Sequence, residues 1–135
     1  MVPPKDDLEH LLLIGLRELK LIVRLTVRRS HLGILLTDAT AACMVISEDI
    51  YAMLLTEPKF KEFTSKPIAN AKEATEVLVC LSQESKAKVN EIVDAAVHTG
   101  AVEARPAMDY GFMFGRSFHD LDGHIWEIIW MDPAA

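Results

Sequence analysis

Residues 108–133, MDYGFMFGRSFHDLDGHIWEIIWMDP, decide the fold. Two apolar runs flank Asp120-Leu121-Asp122-Gly123, and a short polar connection ending in Gly predicts a β-hairpin. Pairing His119 with His124 sets Phe118 opposite Ile125, Arg116 opposite Glu127 and Phe114 opposite Ile129. Strand side chains alternate, so that register puts Phe114, Arg116, Phe118, Ile125, Glu127 and Ile129 on one face. His124, Trp126, Ile128 and Trp130 take the other. The first face is aromatic with an embedded charge pair, the composition of a small-molecule cleft, and the Trp-rich face is expected to lie under helices.

Working outward, residues 101–105 read as a brief strand stopped by Pro106, and Gly100 as the terminator of a helix. That helix runs back to a Ser82 cap, with Val89, Ile92, Val93, Ala96 and Val97 inside and Lys86, Asn90 and Asp94 outside. Residues 75–81 are a strand. Earlier, residues 41–47 and 50–55 form another hairpin about a turn at Glu48-Asp49, followed by a short helix or loop over 57–66. In the first thirty residues two readings stand. Leu8, Leu11, Leu12, Leu16, Leu19, Ile22 and Val23 fit one amphipathic helix, while Gly15 also permits a strand over 9–14 and a helix over 16–29.

A repeat links the halves. Residues 50–58, IYAMLLTEP, align without gaps to residues 125–133, IWEIIWMDP, so Ala52 stands where Glu127 stands. The expectation is α+β: one domain over 1–135, with a first module over about 1–68 and a second over about 69–135. Each module is a strand, a helix and three strands, which buries its sheet beside its twin.

At 135 residues, half of them hydrophobic, the chain has room for one real core. No apolar run reaches the roughly 20 residues of a membrane span and no cationic leader opens the chain, so a cytoplasmic protein is expected. A formal charge of −6 argues against nucleic acid as a partner, and Arg24, Arg28 and Arg29 lack the Gly-rich company of a phosphate site. Cys43 and Cys80 stand singly in apolar segments, which fits reduced, buried thiols better than a disulfide framework or zinc.

The segment 118–127, with its Asp-Leu-Asp-Gly-His-Ile-Trp-Glu run, resembles the final hairpin of the vicinal oxygen chelate superfamily of glyoxalases, fosfomycin and bleomycin resistance proteins and extradiol dioxygenases. The likeness covers roughly residues 37–132 and is strongest to glyoxalase-like bacterial proteins. It implies two βαβββ modules forming a curved mixed sheet around a cleft. It also implies a divalent metal held by Glu127 on the last strand, with Glu76 on the opening strand of the second module and His10 on that of the first. Ala52 departs from the pattern, as does Leu12, which an ungapped count places at the position of His10. Two classes of function follow and the residues leave both open. One is a metal-dependent lyase, isomerase or dioxygenase acting on a small oxygenated metabolite or xenobiotic, with Glu127 catalytic. The other is a metal-free, ligand-sequestering protein of the bleomycin-resistance kind, with Phe114, Arg116, Phe118, Ile125 and Ala52 lining the cleft and Arg116 paired with Glu127. The family also implies a homodimer.

Overall fold

The computed structural model describes residues 11–16, 34–47 and 50–135. His10, the three arginines between 24 and 29, the helix expected over 16–29 and the turn at Glu48-Asp49 lie outside them, wholly or in large part. The chain divides into two compact units, Met1–Ile68 and Ala69–Ala135.

The first unit holds β1 (Leu11–Leu16), β2 (Ile34–Thr37), β3 (Ala41–Val45) and β4 (Tyr51–Thr56). They form one mixed sheet in the order β1-β4-β3-β2, with β1 parallel to β4 and the others antiparallel. Residues 11–16 are thus strand and not part of a single helix; the strand runs on through Gly15 to Leu16, and the helix of the other reading lies outside the described residues. Ala52, Leu54 and Leu55 of β4 and Ala42, Cys43 and Met44 of β3 are buried. Thr56 leads into a one-turn helix α1 (Glu57–Phe60), where Pro58 sits in the first turn and loses no helical hydrogen bond, and then into a 3₁₀ turn (Lys61–Phe63).

The second unit is a full βαβββ module. It comprises β5 (Leu78–Gln83), α2 (Lys86–His98), β6 (Val102–Asp109), β7 (Met113–His119) and β8 (Ile125–Met131). Its sheet order, β5-β8-β7-β6, repeats that of the first unit, with β5 parallel to β8. The α+β expectation and the module therefore stand. The strands pair as two four-stranded sheets, one in each unit.

Local corrections have local causes. β5 continues through Ser82, so the helix cap moves to Ser85, whose Oγ accepts from the Lys88 amide at 3.1 Å. Val89, Val93 and Ala96 are buried as expected, whereas Val97 is exposed. β6 runs through Pro106 because it is an edge strand, where a missing amide hydrogen is tolerated, and its register shifts on either side of Arg105. No helix among the described residues is long and apolar enough to cross a membrane.

Candidate functional site

The hairpin that opened the sequence reading is shifted by one residue. His119 pairs with Ile125, Phe118 with Trp126, Ser117 with Glu127 and Arg116 with Ile128. The cause lies in the turn. The Asp120 amide donates to the His124 carbonyl and the Asp120 carboxylate accepts from the amides of Asp122 and His124, at 3.0 and 2.9 Å. Asp120 and His124 thereby close a three-residue loop whose last member, Gly123, has φ +96°. The second carboxylate oxygen takes the Trp126 indole N–H at 2.9 Å, which ties the turn to the core. A slip of one residue sends every side chain of a strand to the other face relative to its partner.

The cleft expected from Phe114, Arg116 and Phe118 is therefore corrected. These side chains share the α2-facing side of the sheet with Trp126, Ile128 and Trp130. Lys86 of α2 lies over the rings of Phe114 and Trp130, 5.6 and 5.5 Å from their centroids. Arg116 does not meet Glu127. Its Nε donates to Glu103 at 2.8 Å, and its Nη1 to Asp94 and Asn90 of α2 at 2.7 and 3.0 Å. Those carboxylates, Glu103 foremost, hold its pKa above the ordinary arginine value despite partial burial.

The opposite face is not covered by α2 and carries Ile125, Glu127 and Ile129. Backbone pairing places Cys80, Glu127, Ser117 and Arg105 in one transverse row across all four strands. Arg105 reaches that row through an irregularity in β6. Glu103 is opposite Phe118 and Arg105 is opposite Ser117, so two residues of β6 advance against one of β7. Such a bulge re-aims side chains, and here it sends Glu103 to Arg116 on the helix side and Arg105 to Glu127 on the opposite side. The Arg105 guanidinium and the Glu127 carboxylate form an ion pair, with the arginine side chain 43% exposed and the glutamate 17%. Cys43 is buried as expected, but Cys80 is an exposed residue; partial desolvation still raises its thiol above the usual pKa, and the Glu127 charge raises it further. Ser117 is 1% exposed and its Oγ has no hydrogen-bond partner. Sequence reasoning missed Ser117, Cys80 and Arg105; Pro106 in an edge strand was the available sign of the irregularity beside Arg105.

Among the described residues, the donors abreast of Glu127 do not make up a divalent-metal site, and His10 lies outside those residues. In the strand abreast of Glu127 the neighbour is Cys80, not Glu76, which is exposed in the segment before β5. The corresponding pair in the first unit is Leu12 and Ala52, two residue types without a side-chain donor. Among the described residues no three His, Cys, Asp or Glu side chains gather to hold an ion, and Glu127 is engaged by a guanidinium.

No protein-family model matches the sequence, and no curated protein does. Solved structures match it in fold. A glyoxalase-related enzyme from Fulvimarina pelagi aligns at TM-score 0.74 and 15% identity, over 90% of this chain and 86% of that one. The fosfomycin resistance protein FosX from Mesorhizobium loti aligns at TM-score 0.63 and 14% identity, over 99% and 97%. TioX from Micromonospora sp. ML1 aligns at TM-score 0.62 and 16% identity, over 90% and 97%. The chain has the fold of the vicinal oxygen chelate proteins, as its last hairpin indicated.

Proposed function

We propose that the chain is a ligand-binding protein of the bleomycin-resistance kind, which sequesters a small oxygenated metabolite or xenobiotic without metal-dependent chemistry. The observation that carries this reading is the state of Glu127. The carboxylate at the family's metal position is neutralised by Arg105, and its neighbour across the parallel strand pair is a thiol held protonated. A divalent ion taking the guanidinium's place would find one carboxylate and no gathered set of further donors among the described residues. What the face opposite α2 offers instead is apolar area. Ile125, Ile129, Met108 and Met113 are only partly covered and Leu78 is exposed, and flexible Met side chains suit ligands of varied shape. Structural relatives include proteins named for fosfomycin and bleomycin resistance, which supports a small xenobiotic as the ligand class.

Melting temperature tests it. Protein stripped with chelator and then given excess manganese or nickel is expected to melt unchanged, and Glu127→Gln is expected to respond identically. A resident metal at about a hundred times its dissociation constant would add about 2.7 kcal/mol. A rise of that kind in the parent, lost in Glu127→Gln, would overturn the reading in favour of the metal-dependent enzyme.

A further inference from the structure

The ion pair between Arg105 and Glu127 joins strands that are not neighbours. Arg105 is on β6 and Glu127 on β8, two strand spacings or about 10 Å apart, with β7 between them. Ser117 of β7 lies in the same row between the two and points to the same face. The bridge thus spans the row in which Ser117 stands, and the Ser117 hydroxyl is 1% exposed and hydrogen-bonds to nothing. Buried hydroxyls are ordinarily satisfied, so an orphan in the same row as a partly exposed ion pair calls for a partner.

We propose that this row anchors the cationic group of the ligand, a protonated amine or an amidine, and that Arg105 is the internal occupant which the ligand displaces. The proposal rests on the reading of this face as a binding surface and names the chemistry it selects. The two members of the pair are unequal. Arg105, on the edge strand and 43% exposed, can swing into water at little cost, whereas Glu127 at 17% exposure cannot be left without a partner. Exchange with an incoming cation keeps Glu127 compensated throughout. An anionic ligand would instead draw on Arg105 within reach of the Glu127 charge. An ammonium brings three donors, and Glu127 together with the Ser117 hydroxyl supplies acceptors for them. The formal charge of −6 favours the approach of cations over anions.

The test is a chemical-shift titration of the ¹⁵N-labelled full chain with n-butylammonium, n-butanol and butyrate. Butylammonium is expected to move the amides of Ser117 and Glu127. Glu127→Gln should weaken it about tenfold and Ser117→Ala severalfold, as expected for losing a charge-assisted hydrogen bond and a weaker one. Arg105→Gln should tighten it, because the competitor is gone. Tighter binding of butyrate than of butylammonium, or weaker butylammonium binding in Arg105→Gln, overturns the proposal. Equal binding of butanol and butylammonium also overturns it while leaving the apolar face a binding surface. Silence from all three probes removes the anchor and that surface together, whatever the metal titration shows. If Arg105→Gln fails to fold, the Glu127→Gln and Ser117→Ala arms decide.

Discussion

Replacing Arg116 by Met separates the observed hairpin register from the one its sequence first implies. Met keeps an unbranched apolar stem against α2 and removes the guanidinium that bonds Glu103, Asp94 and Asn90. Although the Arg116 side chain is 13% exposed, Glu103 and Asp94 are 40% and 68% exposed, so both carboxylates regain water when it goes. Each pair then counts as a surface pair of about 0.2–1 kcal/mol, and the Asn90 bond adds about 1. The expected loss is about 2 kcal/mol, below the 3–5 or so of a truly buried pair broken from one side. Urea unfolding followed by tryptophan fluorescence measures it, with an unchanged denaturant slope. The decisive quantity is the double-mutant coupling. Arg116→Met and Glu127→Gln act on opposite faces and should add to within about 0.5 kcal/mol. Arg105→Gln and Glu127→Gln share an ion pair and should couple by more than that. Strong coupling of Glu127 to Arg116 with none to Arg105 would refute the register, and with it the placement of the candidate site.

Further consequences follow from the same geometry. Gly123→Ala puts a Cβ 2.9 Å from the backbone of Ala71 and Lys72 at a φ of +96°, so backbone must move; a loss of at least about 2 kcal/mol in the same assay is expected, and a neutral result would contradict the turn. Because the folded state holds the Cys43 and Cys80 protons more tightly than the ordinary thiol value of 9.0, their contribution to stability is intact below that pH and is lost as pH rises above it. Cys80→Ala should lessen that alkaline decline. Iodoacetamide should alkylate Cys80 more slowly than free cysteine at pH 8 and faster in Glu127→Gln, which lacks the neighbouring charge. Sedimentation at micromolar concentration is expected to show a homodimer, and a sole 15.1 kDa species would count against it.

Sequence alone determined what depends on short-range pattern. Alternating apolar runs about Asp-Leu-Asp-Gly marked the last hairpin, the gapless match of 50–58 to 125–133 marked two strands in equivalent places, and helix periodicity placed Val89, Val93 and Ala96 inside. The identical sheet orders make Ala52 and Glu127 equivalent, each abreast of the opening strand of its unit, as the repeat implied. Tertiary structure decided what depends on parity and on neighbours distant in the chain. Whether the hairpin loop closes at His119 or at Asp120 changes its composition little, yet it decides which face Arg116 and Glu127 occupy, because the side-chain period is two. The Asp120 carboxylate settles it by taking the His124 amide and the Trp126 indole together. Arg105 was beyond local reading for a related reason. Its side depends on an extra residue in β6 whose presence appears only once β6 is laid against β7. The strand at 11–16 exists through its parallel pairing with β4, some forty residues on, and periodicity over so short an apolar run carries no trace of that partner.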